Sequence, residues 1–482
     1  MNENPAPNTD RLGTVGHSGQ ALSAVRGGSD TIVAISTPPG RGALALIRMS
    51  GTAAYEIAAR TIAPWPPLPR VATLATVHDP DSAGAVDRAL VIRFEDGRSF
   101  TGERMVEIST HGGSVSSALV LAALVTAGAR PALPGEFTRR AVLNGKLTLA
   151  QGEAIGDIID ATSRTAHRVA LDALDGGLVR RVLSLRDALL DLEAMIAYDI
   201  DFPEEDDGPV APARIAAGAA QVSKLLSALI ATAPAGELVR NGALVVLAGP
   251  PNVGKSSLFN ALLGDARALV TPIPGTTRDA IEAVIDGPGW PLRLVDTAGL
   301  RDSADTIERL GIEVSERYLS RAQVVLACAE DTVALRATRQ RVAAISAAPI
   351  VAVLTKRDLF RSPDAAIVAD ADAVLEQPVP VSAETGDGLT LLLSRIEAVL
   401  AAALGTVTGD TPIVTRARHL ATLRTAEREI QLFADAWQES SLPAPVIAVH
   451  LRAAVAALEE LVGVVDTDDV LDRVFRSFCV GK

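Results

Sequence analysis

Gly249–Ser256 reads GPPNVGKS and lies between an apolar run, ALVVLA (243–248), and a helix-like run, SSLFNALLG (256–264). These residue types suit a polyphosphate. Glycines let successive backbone N–H groups turn toward an anion with no Cβ in the way. Lys255 has the reach for β- and γ-phosphates, and the Ser256 hydroxyl is a ligand for Mg²⁺. A helix beginning at this point aims its positive end at the same anion.

The parts that complete such a site follow in order. TPIPGTTRD (271–279) offers Thr277 as a second Mg²⁺ ligand. DTAGLR (296–301) offers Asp296 to the metal through water and the Gly299 N–H to the γ-phosphate. LTKRD (354–358) places Asp358 to accept two hydrogen bonds from guanine, with the Lys356 stem packed on the base. VSAE (381–384) offers the Ala383 N–H to the guanine carbonyl. The order and spacing predict GTP rather than ATP. The expected contacts are Asn252, Val253, Gly254, Lys255, Ser256 and Ser257; Thr271, Pro272, Ile273, Pro274, Gly275, Thr276 and Thr277; Asp296, Thr297, Ala298 and Gly299; Thr355, Lys356, Arg357 and Asp358; and Ser382, Ala383 and Glu384. Thr355 stands where this kind of base-reading motif usually has Asn.

The residue after Gly299 is Leu300, whereas many GTPases orient the attacking water with Gln there. Charge stabilisation must come from elsewhere. One source is a monovalent cation held by the Asn252 side-chain carbonyl, the backbone oxygens of Thr271 and Ile273, and Thr276. The alternative is that Asn252 only braces the loop.

These loops need strands and helices to hold them. Short apolar runs (ALVVLA, PLRLVD, VVLACA, IVAVLT, PVPVSA) alternate with helical segments across residues 242–404, which predicts a doubly wound, mostly parallel α/β sheet. Helical periodicity occupies 147–241, interrupted by the acidic YDIDFPEEDD (198–207), and returns over 405–482. The simplest arrangement is an α/β domain inserted into a discontinuous helical one. Residues 30–146 carry strand-like runs around Val33, Ile47, Val91 and Val106 with a helix-like Ser116–Gly128, predicting a small α+β domain. Residues 1–29 read as a disordered leader.

Composition excludes several function classes. With 48% hydrophobic and 21% charged residues, the 482-residue chain has core enough for about three domains. A balance of 45 basic and 58 acidic side chains, net −13, disfavours non-specific nucleic-acid or anionic-membrane binding. The longest apolar stretch, near Ala118–Ala127, is too short to span a bilayer. Two cysteines, Cys328 and Cys479, exclude a disulfide scaffold and fit a reducing cytoplasm, and no secretory signal is read. Cys328 reads as core packing. Cys479 reads either as a nucleophile or as an inert thiol. The six histidines show no metal-ligand spacing.

TPPGRG (37–42), FTGE (100–103), HGG (111–113), PGEFTRRAVLNGKLTLAQ (134–151), the nucleotide motifs and the terminal FCVGK (478–482) together resemble the MnmE/TrmE family of tRNA modification GTPases. The resemblance covers essentially everything after Ser29. It implies an N-terminal α+β domain that binds a tetrahydrofolate derivative, 5-formyl or 5,10-methylene, and mediates homodimerisation. It implies K⁺-dependent GTP hydrolysis, and a FAD- and NADH-dependent partner in a heterotetramer. With that partner the family places an aminomethyl or carboxymethylaminomethyl group on C5 of the wobble uridine of certain tRNAs, with no membrane involved. By motif, Asn252, Thr271, Ile273 and Thr276 resemble the K⁺ ligands, and Ser256 and Thr277 the Mg²⁺ ligands. Glu308 resembles the glutamate that positions the attacking water. Arg48, Glu107, Lys146 and Lys482 resemble the folate-contacting set. The competing reading is a GTP-switched ribosome-assembly factor that does no chemistry on RNA; the folate-type motifs and FCVGK argue against it.

Overall fold

The computed structural model describes residues 30–201, 210–265, 281–296, 316–359, 377–404, 413–439, 443–463, 471, 474–476 and 478–482. Their chain divides into two compact units, Met1–Leu147 with Asp468–Lys482, and Thr148–Thr467.

The first unit is built on β1 (Ile32–Ile35), β2 (Leu44–Ser50), α1 (Ala54–Thr61), β3 (Ile62–Ala63), β4 (Thr73–His78), β5 (Ala85–Phe94), β6 (Met105–His111), α2 (Ser114–Thr126), β7 (Arg130–Pro131) and α3 (Glu136–Leu143). The sheet order is β3-β4-β5-β6-β2-β1-β7, antiparallel except for the β1–β7 pair. Alternation explains it: Val33, Ile47, Met49, Val91, Val106 and Ile108 are buried with α1 and α2 over one face. Two short strands, β3 and β7, and the strand β4 were not expected from sequence.

The terminal residues complete this unit. The Phe137 N–H donates to the Lys482 carbonyl at 3.0 Å and the Gly135 N–H to the Cys479 carbonyl at 3.3 Å. The Ser36 hydroxyl donates to the Gly481 carbonyl at 2.9 Å, and Val480 bridges to Pro134. The sequence groups the terminal FCVGK with the second helical segment; in the division into compact units, residues 478–482 fall with the N-terminal unit. The start of α3 has free amides to give, and the tail's carbonyls take them. Gly135, at φ +67°, permits the approach, since a Cβ there would stand 2.7 Å from the Phe475 carbonyl oxygen.

The second unit begins with α4 (Leu149–Asp160), whose Thr148 and Gln151 form a reciprocal capping box. It continues through α5 (Arg164–Leu174), α6 (Gly177–Asp201), α7 (Pro212–Ile230) and α8 (Ala233–Asn241). Next come β8 (Ala243–Ala248), α9 (Lys255–Asp265), β9 (Ile281–Asp286), β10 (Pro291–Asp296), β11 (Val324–Ala329), α10 (Thr332–Ala343), β12 (Ile350–Leu354), β13 (Val379–Pro380) and α11 (Leu389–Leu404). It closes with α12 (Ala417–Glu439) and α13 (Ala444–Val462).

The helices α6, α7, α12 and α13 share one core around Leu185, Leu189, Leu226, Phe433, Leu451 and Leu458. Residues Pro212–Asn241 are, by length and composition, apolar enough to cross a membrane, a stretch the sequence reading overlooked. Spacing accounts for it: Ile215, Ala219, Val222, Leu226 and Leu229 recur every three or four residues and face the helical core.

The sheet order is β13-β12-β11-β8-β10-β9, parallel except for β9 against β10. β8 and β11 are buried at every residue, as central strands covered on both faces must be. β9, unread in the sequence, is an edge strand whose polar members interrupt the apolar pattern.

Candidate functional site

β8 ends at Ala248 and the chain turns through Gly249–Gly254 into α9. Gly249 is required by close approach, because a Cβ there would collide with the Cys328 carbonyl oxygen. Asn252 adopts φ +60° and Gly254 φ +92°, the left-handed geometry that turns backbone N–H groups to one side. Lys255, only 5% exposed, curls back so that its Nζ donates to the carbonyls of Gly249 at 3.0 Å and Pro250 at 2.7 Å. Asp296 ends β10 in register with Leu247 of β8, and it is 1% exposed. The Ser256 hydroxyl donates to its Oδ2 at 2.5 Å. The parallel pairing of β8 and β10 thus brings a hydroxyl and a carboxylate, 40 residues apart, to one point beside a buried ammonium. Two hard oxygen donors there suit Mg²⁺.

A second cluster is made by the ends of β12 and β13. The Thr355 N–H donates to the Ala329 carbonyl at 2.9 Å, and its hydroxyl lies 2.6 Å from the Val253 carbonyl oxygen. Lys356, at φ +55°, pairs its Nζ with Glu330 at 2.5 Å while its stem passes Gly254. The Arg357 N–H donates to the Val381 carbonyl, tying the two loops together. The Ser382 hydroxyl donates to Asp358 Oδ1 at 2.8 Å, which aims an otherwise exposed carboxylate. Ala383 is half-buried and Glu384 exposed.

The structure therefore brings together Asn252–Ser257 with Asp296, and Thr355–Asp358 with Ser382–Glu384. Thr271, Pro272, Ile273, Pro274, Gly275, Thr276, Thr277, Thr297, Ala298, Gly299 and Glu308 lie outside the described residues. Glu330, as partner of Lys356, was not singled out from sequence; an acidic residue just after a buried strand was its only signal. Among the described residues, no group of three or more His, Cys, Asp and Glu is placed to hold a metal.

In the first unit, Arg48 and Glu107 face each other across β2 and β6. Arg48 donates to Glu107 Oε1 from Nε at 3.0 Å and from Nη2 at 2.8 Å. Its guanidinium lies 5.0 Å from the Phe100 ring centre and 5.8 Å from that of Phe137, whose amide is held by Lys482. Lys146 is exposed and donates from Nζ to the Gly97 carbonyl at 3.1 Å. The two rings hold the Arg48 guanidinium in place, Phe137 from the core at 0% exposure, and the Arg–carboxylate pair offers a ligand both a donor and an acceptor.

The two thiols differ sharply. Cys328 is fully buried beneath the phosphate loop, and burial pushes its thiol up to about 12. Cys479 is exposed. One thiol per chain is expected to react with a maleimide in the native protein, and the second only after unfolding. Two rapid equivalents in the native state would contradict that placement.

A family model described as "MnmE helical domain" matches residues 149–479, and one described as "GTP-binding protein TrmE N-terminus" matches residues 31–146. The chain is 41% identical over 457 residues to the "tRNA modification GTPase MnmE" of Azoarcus sp. (strain BH72), covering 94% of this chain and 98% of that one. It is 39% identical over 468 residues to the protein of the same description from Heliobacterium modesticaldum, covering 94% and 99%. It is 41% identical over 460 residues to that of Methylobacterium sp. (strain 4-46), covering 94% and 100%.

Proposed function

The chain belongs to the MnmE family of tRNA modification GTPases, and from that premise we propose that it hydrolyses GTP as part of tRNA modification. The observation that carries this reading is the convergence of Lys255, Ser256 and Asp296 at the head of α9. Lys255 supplies positive charge to the β- and γ-phosphates, exchanging its two carbonyl partners for phosphate oxygens. Ser256, with Asp296 behind it, would hold Mg²⁺, which neutralises charge on the phosphates when bound. Thr277 would supply the second protein ligand. Asp358 accepts from the guanine N1–H and exocyclic amine, and Ser382 keeps that carboxylate in place.

Asn252, with Thr271, Ile273 and Thr276, would hold K⁺ and thereby offset the charge that develops as the γ-phosphate leaves. Glu308 would position the attacking water. Arg48, Glu107, Lys146 and Lys482 would hold a reduced folate, the aromatic-flanked Arg48–Glu107 pair meeting the pterin. Cys479 is close in sequence to that last lysine and is the exposed thiol available for chemistry. The acceptor would be C5 of the wobble uridine in certain tRNAs, modified in the cytoplasm by a homodimer with a FAD- and NADH-dependent partner.

The test is the steady-state GTP hydrolysis rate in KCl and in NaCl at equal ionic strength. A stimulation by K⁺ of about tenfold or more is expected, lost in Asn252→Ala. Equal rates in the two salts would leave Asn252 as a brace and remove the cation from the mechanism.

A further inference from the structure

Thr355 is 3% exposed and its hydroxyl carries a single hydrogen. Two carbonyl oxygens surround that hydroxyl, Val253 at 2.6 Å and Ala329 at 3.2 Å. Both are acceptors only, so the one hydrogen, shared or not, is taken up by backbone carbonyls. The Ala329 oxygen already receives the Thr355 amide at 2.9 Å. The shorter contact is to Val253, inside the phosphate loop. The hydrogen is thereby committed to the backbone of the loop that faces the phosphates.

This has a consequence for the base. On the reading that the site binds GTP, Asp358 takes the donors on the six-membered ring of guanine. The five-membered ring presents N7, which is an acceptor and needs a donor. An Asn at this position would carry two amide hydrogens, enough for a backbone carbonyl and N7 together. Thr355 has one. Lys356, the next side chain, directs its Nζ to Glu330 instead. N7 is shared by guanine and adenine, so neglecting it costs affinity and leaves selectivity with Asp358.

We propose that Thr355 is a positioning residue that ties the base-reading loop to the phosphate loop through the Val253 carbonyl, and that among the described residues neither its hydroxyl nor Lys356 reads guanine N7. Base and phosphate loops are then coupled by a hydrogen bond that both purine nucleotides would share.

The test measures dissociation constants of the full chain for GTP, 7-deaza-GTP (N7 replaced by C–H) and ATP. GTP and 7-deaza-GTP are expected to bind within about twofold of each other, since no hydrogen bond is lost. A 7-deaza-GTP weaker by about fivefold or more would overturn the proposal while GTP remained preferred over ATP. Failure of the GTP reading itself shows differently, as GTP and ATP binding alike. Thr355→Val is expected to weaken GTP and 7-deaza-GTP by one common factor, about five- to tenfold, and Thr355→Ser to preserve both. Weakening of GTP alone in Thr355→Val would mean that the hydroxyl does reach N7. No weakening of either would mean that the tether does not position the site. If Thr355→Val fails to fold, the GTP to 7-deaza-GTP ratio of the unaltered chain decides.

Discussion

Asp358→Asn is expected to weaken GTP binding by at least about a hundredfold and to raise affinity for xanthosine triphosphate. The carboxylate accepts two hydrogen bonds from guanine, each charge-assisted and each contributing about 1.5–3 kcal/mol. An amide in its place keeps one acceptor but turns an N–H₂ toward a guanine N–H, which leaves two donors facing each other. Xanthine carries a carbonyl where guanine carries the amine, and so accepts from the new amide. Asp358 is exposed and its side-chain partner among the described residues is the Ser382 hydroxyl, which can donate to an amide oxygen as readily as to a carboxylate. The variant is therefore expected to fold normally. Titration calorimetry with the two nucleotides reads the result. A variant that still prefers GTP would show that Asp358 does not read the base.

Glu153→Gln is expected to destabilise the second unit by about 3–5 kcal/mol, the range seen when one partner leaves a buried ion pair. Glu153 is 2% exposed on α4. Arg418 grips it with Nε at 3.1 Å and Nη2 at 2.9 Å, and His419 Nε2 lies 2.6 Å from Oε2. Since a carboxylate only accepts, His419 carries its hydrogen on Nε2. Arg416 binds the neighbouring Asp157 with both Nε and Nη2, at 3.1 and 2.7 Å, and reaches the Glu153 carbonyl. The glutamine takes the counter-charge from the partly buried Arg418 and from the buried His419.

The same carboxylate sets an acid limit. Burial pushes its pKa up, but the hydrogen bonds and charges of His419 and Arg418 outweigh burial and hold it at about 2, below the ordinary 4.5. In the unfolded chain the group takes up its proton first as pH falls. Its stabilising contribution is therefore complete above pH 4.5 and is lost as pH falls from there toward about 2. The full contribution is roughly 3 kcal/mol. Urea midpoints between pH 7 and 3 should fall more steeply for the unaltered protein than for Glu153→Gln. Parallel curves would place the acid sensitivity elsewhere.

What is local in this chain is legible in its residues. The glycines, lysine and serine of the phosphate loop announce their geometry because left-handed turns and close backbone approach admit few other residues. The strands β8 and β11 are legible as unbroken apolar runs because both of their faces are covered. The order of the nucleotide motifs follows the chain, and so did the alternation that predicted a mostly parallel sheet.

Tertiary structure decided the pairings between distant residues, which no window of sequence contains. Thr355 looked like a missing asparagine until Val253, 102 residues away, was found beneath its hydroxyl. Glu153 gave no signal in α4, because its partner His419 lies 266 residues on. The terminal FCVGK follows helical sequence, yet its carbonyls meet the amides of Gly135 and Phe137, and all of these residues belong to the first unit. A polar group taken out of water must find its complement wherever the fold brings one, and only the folded chain says where that is.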